Sequence, residues 1–169
     1  EFEKVAKQVR IPIATGERMT TKAEFGAILR TGGASILQPA LGRSGGILET
    51  KKIAALAEVY NAQIAPHLYA GPVEWAANIQ LAANIPNLLL VETIQTGGDF
   101  HLKLIKNSIT WEDGYIKAPT APGLGIEFDE KVALENPYKG QELHLQMAEA
   151  GCDYQTKNDF LGGAPPRKD

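Results

Sequence analysis

Short apolar, β-prone runs alternate along this chain with stretches whose apolar residues recur at helical spacing. The runs are IPIAT (11–15), SILQP (35–39), AQIAP (62–66) and NLLLVE (87–92), each bounded by Gly, Pro or Asn. Between the first two, Phe25, Ile28 and Leu29 fall at i, i+3 and i+4, which predicts a helix over 22–30 that closes on Gly32-Gly33. The same spacing in Ile53, Leu56, Ala57 and Tyr60 predicts a helix over 47–60 with these four residues inward. PVEWAANIQLAA (72–83) begins with proline, an apt first helical residue, and turns Trp75, Ile79 and Leu81 or Ala82 inward. The opening EFEKVAKQV reads as the end of one more helix.

The order is helix, then strand and helix three times, then a strand. Such alternation predicts an α/β fold with parallel strands and right-handed crossovers. Eight such units make a (β/α)8 barrel of about 250 residues, so about four make half of one. An open doubly wound sheet competes, but the Gly-rich turn GRSGG at 42–46 lacks the spacing of a dinucleotide fingerprint.

Composition narrows the partners. The chain has 169 residues, a hydrophobic fraction of 44% and a net charge of -3, with an isoelectric point near 5.7. It is long enough for a genuine core, and it lacks the basic stripe that phosphate backbones require, so nucleic acid is not an expected partner. Its apolar runs fall short of the ~20 residues of a membrane span. One cysteine, Cys152, cannot form an internal disulfide. The expectation is a soluble cytoplasmic protein without a membrane partner.

In barrels the chemistry sits at the C-terminal ends of the strands, and four polar residues stand at four successive ends: Glu17, Gln38, His67 and Glu92. Position alone leaves two readings of Glu17, a surface residue starting a helix or an active-site carboxylate at the mouth of a sheet. His101 and His144, in HLKLI and ELHLQM, read as strand-face or surface residues. Arg18 and Arg43 border the same mouth, where an anionic substrate would arrive, but exposed arginine is common. Cys152 reads as inert and Trp75 as helix packing.

The blocks IPIATGER, SILQPALGRSGGI, AQIAPHLYAGP and LLLVE resemble, in order and spacing, the second half of the barrel in the enolase superfamily. More narrowly they are similar to its mandelate racemase and sugar-acid dehydratase subgroup, with galactonate dehydratase the nearest branch. WEDGYIKAPTAPGLGIEFDE (111–130) resembles that subgroup's C-terminal segment, and the likeness covers about residues 1–130. It implies a half-barrel over 1–96, a β-rich segment over 97–150 that packs on the barrel or on a capping domain, and a loosely ordered tail over 151–169.

For the site, the resemblance implies that Glu17 is a carboxylate ligand of one catalytic Mg2+ and lies against the substrate, the remaining ligands coming from outside this chain. It implies that His67 is a general acid or base, and that Glu92 shares a hydrogen bond with the enolate oxygen on the side away from the metal. Gln38 would bind a substrate hydroxyl or carboxylate. Such groups suit removal of a proton beside a carboxylate, because a divalent cation stabilises the enediolate where its charge develops. In many relatives an aspartate follows the proline of the sixth strand and pairs with this histidine; here the residue is Ala40. His67 is therefore expected to lack a carboxylate partner and to be a weaker base, with rescue by Ser44 left open. That favours dehydration of an acid sugar to a 2-keto-3-deoxy acid over racemisation, epimerisation or cycloisomerisation. The intact enzyme is expected to act on a small-molecule acid sugar and to form a homo-oligomer. The isolated chain reads as an inactive C-terminal fragment, and a non-catalytic assembly module is the alternative of another class.

Overall fold

The computed structural model describes residues 1–93, 101, 103–107 and 109–137. His144, Cys152 and the tail over 151–169 lie outside the described residues. The chain starts with a short helix α1 (Phe2–Ala6), followed by β1 (Ala14–Thr15), α2 (Lys22–Arg30), β2 (Ile36–Leu37), α3 (Leu41–Ser44), α4 (Gly46–Val59), β3 (Gln63–Ile64) and α5 (Pro72–Ala82). A hairpin of β4 (Trp111–Glu112) and β5 (Tyr115–Ile116) and, last among the described residues, a helix α6 (Glu130–Glu135) follow. Residues Glu1–Ala133 form one compact unit.

Local signals explain the elements. At the start of α2 the Thr21 hydroxyl accepts from the Glu24 N–H at 3.4 Å and the Glu24 carboxylate accepts from the Thr21 N–H at 2.8 Å, a reciprocal capping box. At its end the N–H groups of Gly32 and Gly33 return to the carbonyls of Leu29 and Ile28, closing the last turn as a Schellman motif. Asp113 and Gly114 both take positive φ, 49° and 81°, between β4 and β5. A two-residue loop of that hand matches the twist of paired strands, so the Asp-Gly pair makes the hairpin.

The three first strands form a parallel sheet in the order β1-β2-β3, with Ala14, Ile36 and Gln63 in one row and Thr15, Leu37 and Ile64 in the next. The run around Leu88 adds beside β3 through the Ile64–Leu88 bridge, with the Leu89 N–H donating to the Ile64 carbonyl at 2.8 Å. The parallel α/β architecture is thus as expected. Side chains alternate across a strand, and Leu37 and Ile64 point into a core built with Phe25, Leu29, Ile53, Ala54, Ala57 and Leu81 from α2, α4 and α5. Ala14 and Gln63, one residue earlier, are exposed on the other face.

Phe25 is fully buried in that core, and truncating such a ring costs about 3–5 kcal/mol. A second cluster joins Leu68, Trp75, Ala76 and Ile79 to Ile105 and Ile109. The Gln80 amide also donates to the Pro119 carbonyl at 2.9 Å, so the C-terminal segment is fastened to α5.

Tyr60 is a correction. It was expected inward on helical spacing, but α4 ends at Val59 and the chain turns at Asn61 with φ 54°, which leaves the ring exposed. Leu81 and Ala82 are both buried, with Trp75 and Ile79. No described helix is long and apolar enough to cross a membrane.

Candidate active site

Parallel strands in fixed register deliver their C-terminal residues to one edge of the sheet. Counted from the row Thr15, Leu37, Ile64 and Leu88, Gln38 lies one residue on, Glu17 two, His67 three and Glu92 four. Backbone pairing continues past the strands proper: the N–H of Gln38 donates to the Thr15 carbonyl at 2.8 Å, that of Ala65 to Leu37 at 2.9 Å, and that of His67 to Pro39 at 3.1 Å. The loops after β1, β2 and β3 are thereby held side by side before any side chain is considered.

Glu17, His67 and Glu92 meet at this edge. His67 Nδ1 lies 2.7 Å from Glu92 Oε2 and 3.7 Å from Glu17 Oε2. The first is a close ion-pair contact; the second is longer and leaves only a charge–ring interaction. Glu92 Oε2 also accepts the Leu68 N–H at 2.8 Å. The histidine is mostly enclosed, its side chain 19% exposed, whereas the Glu17 and Glu92 side chains are 57% and 45% exposed and face solvent. Gln38 is half-buried at the end of β2. Arg18, Arg43 and His101 are exposed.

The expectation that His67 lacks a carboxylate partner is corrected here. Ala40 does lie beside the histidine, joined to it by a parallel bridge, but the partner comes from the next strand run, as Glu92. Ser44 does not rescue the contact. Its hydroxyl is buried, donates to the Ala40 carbonyl at 2.8 Å and lies 3.0 Å from the Thr50 hydroxyl, a pair that fastens the α3–α4 turn. The backbone N–H of Leu68 is the site group that sequence reasoning missed, since nothing in a side-chain pattern announces a main-chain donor.

A hard divalent cation prefers carboxylate oxygen, and Glu17 offers one at the open mouth. Among the described residues no three His, Cys, Asp or Glu side chains are grouped as a complete metal cage requires. Glu17 therefore fits as one ligand of a shared site, while Oε2 of Glu92 already accepts the Leu68 N–H and lies against His67.

The profile of the family described as enolase C-terminal domain-like matches residues 1–132. The chain belongs to that family. It is 39% identical over 140 residues to the D-galactonate dehydratases of Ralstonia nicotianae (strain ATCC BAA-1114 / GMI1000) and Ralstonia pickettii (strain 12J), over 79% of this chain and 37% of theirs. Among solved structures, a mandelate racemase/muconate lactonizing enzyme from Sulfitobacter sp. is similar at 67% identity and a TM-score of 0.80, over 90% of this chain and 38% of that one. A mandelate racemase/muconate lactonizing enzyme-like protein from Roseovarius sp. TM1035 matches at 66% identity and the same TM-score and coverage. The chain thus spans little more than a third of the length of these relatives.

Proposed function

We propose that this chain is the C-terminal half of the (β/α)8 barrel of a magnesium-dependent acid-sugar dehydratase, a lyase that converts an aldonate to a 2-keto-3-deoxy acid. The half-barrel of this reading rests on the described residues 1–93, with the hairpin β4–β5 in the same compact unit. The observation that carries the reading is the convergence of Glu17, His67 and Glu92 at the C-terminal edge of a parallel sheet. The open face supports it too. Parallel sheets are normally covered on both sides, and a face on which Ala14 and Gln63 are exposed among the described residues suits the inside of a barrel whose other strands lie elsewhere. Likeness to D-galactonate dehydratases supplies the substrate class by analogy.

Glu17 is assigned as one carboxylate ligand of Mg2+, whose chemistry when bound is Lewis-acid stabilisation of charge developing on the substrate carboxylate. Gln38, at the same edge, hydrogen-bonds a substrate hydroxyl or carboxylate. The proton beside the carboxylate goes to a base outside this chain. The electron pair left on that carbon expels the hydroxyl of the neighbouring carbon as its C–O bond breaks. His67 gives that hydroxyl a proton, so water leaves and the resulting enol becomes the 2-keto acid. Glu92 Oε1, left free by the two contacts of Oε2, shares a hydrogen bond with the enolate oxygen.

The test is a product assay of the complete enzyme with Mg2+ against a panel of aldonates. Formation of a 2-keto-3-deoxy acid is expected for at least one. Epimerisation beside the carboxylate without loss of water would overturn the dehydratase reading in favour of a racemase or epimerase.

A further inference from the structure

We propose that Arg43 receives the anionic substrate at the mouth of the sheet and that Glu74 is its positioning residue, holding by the main chain the turn that carries Arg43. That the anion is an acid sugar rests on the dehydratase reading; the tie between Glu74 and the turn does not.

The first observation is an acceptor supplied from far along the chain. Arg43 sits in α3, a single turn that starts from Ala40, and the N–H groups that open such a turn have no partner within it. A polar residue at the start would accept one of them, but Ala40 has no side-chain oxygen. Glu74, in the first turn of α5, does so instead: its Oε1 accepts the Gly42 N–H at 3.0 Å. The second observation is fit. A Cβ on Gly42 would stand 2.7 Å from Oε2 of Glu74 and 3.3 Å from its Cδ. The carboxylate thus fills the space that a side chain at position 42 would need.

The third observation is place. Ala40 pairs with His67 through a parallel bridge, and the His67 N–H donates to the Pro39 carbonyl at 3.1 Å, so the sheet fixes the chain as far as Ala40. Beyond that point Leu41, Ile47, Pro72, Val73 and Ala77 line an open hollow of about 440 Å³ between the α3 turn and the start of α5. Packing leaves that spacing loose, and the carboxylate tie sets it. Arg43 follows Gly42 directly, is exposed, and pairs with no carboxylate among the described residues. Its planar fork is available for a carboxylate, at an edge that Glu17 and Glu92 otherwise make acidic.

The test follows KM and kcat of the complete enzyme on an aldonate at low and high salt. Arg43→Ala should raise KM about tenfold with kcat little changed, and KM should depend less on salt, because the charge that salt screens is gone. Glu74→Ala should raise KM by about three- to tenfold. Glu74→Gln, which keeps an acceptor oxygen for Gly42, should restore most of that loss. Where Arg43 is already alanine, Glu74→Ala should add nothing. An unchanged KM in Arg43→Ala would overturn the proposal. So would a lowered KM in Glu74→Ala, which would make Glu74 a charge that repels the substrate, or an equal loss from Glu74→Ala with and without Arg43, which would make the tie structural only.

In this chain by itself, amide exchange followed by NMR should be slower at Gly42 in the unaltered protein and in Glu74→Gln than in Glu74→Ala; equal rates would remove the tie. Where Glu74→Ala does not fold, Arg43→Ala still decides whether the cation binds substrate. Absence of any turnover by the unaltered enzyme would sink the dehydratase reading, and calorimetry with the same aldonates would then decide the proposal, a loss of affinity in Arg43→Ala supporting it and unchanged affinity overturning it.

Discussion

At Gly16 the backbone runs at φ +135°, and a Cβ there would stand 2.7 Å from Cε1 of Phe25 and 3.1 Å from the Gln38 nitrogen. The glycine thus lets the end of β1 pass close to both the core and the next strand before the chain delivers Glu17 to the mouth. Gly16→Ala would force that approach apart in a backbone conformation that side chains rarely adopt. It is expected to destabilise the chain by about 1–3 kcal/mol and to displace Glu17, read as a lower midpoint of denaturant unfolding. An unchanged midpoint would show that the neighbours yield freely. Glu17, Gln38, His67 and Glu92 were legible as polar residues at the ends of apolar runs, and the structure brings Glu17, His67 and Glu92 to one edge. Their partnerships were not legible. Whether His67 meets Glu92 or position 40 depends on how far each strand run continues past the shared register row and on side-chain reach, neither of which a linear pattern encodes.

Among the elements, α2 was the most legible. Its limits, Lys22 and Arg30, follow from apolar spacing that agrees with the stop at Gly32-Gly33. The strands were legible as runs, though the ladder proper covers only two residues in each of β1, β2 and β3. Tyr60 failed because spacing continues in sequence where the helix does not. Glu24 shows what the cap adds. Hydrogen bonds from the Thr20 N–H first, then from the Thr21 hydroxyl and N–H, hold its carboxyl below the ordinary glutamate value. A carboxyl held low in the folded state stabilises it fully above the ordinary range, and that contribution is lost as pH falls through the lowered value. Thr21→Ala removes the reciprocal bond and is expected to cost about 1 kcal/mol, measured by thermal unfolding near neutral pH. The deficit relative to the unaltered chain should narrow in acid. A deficit that stays constant down to strongly acidic pH would mean that the box does not act through the Glu24 charge.

At the scale of the whole molecule, the described sheet has helices on one face, and its outer members are β1 and the run at 87–89. Unpaired strand edges template association. The chain by itself is therefore expected to form dimers or larger species, detected by light scattering across a range of concentrations; a monomer at high concentration would contradict the open-edge account. The central claim, that this edge carries the proton-delivering half of a dehydratase site, is tested most directly in the complete enzyme by the variant His67→Asn. Dehydration and exchange of the substrate's α-proton with deuterium from solvent would be followed in the same reaction. If His67 serves as the acid for the departing hydroxyl, dehydration should fall by about 10²–10⁴-fold while exchange persists, because a different base removes the α-proton. Loss of both together would contradict the account and make His67 the base.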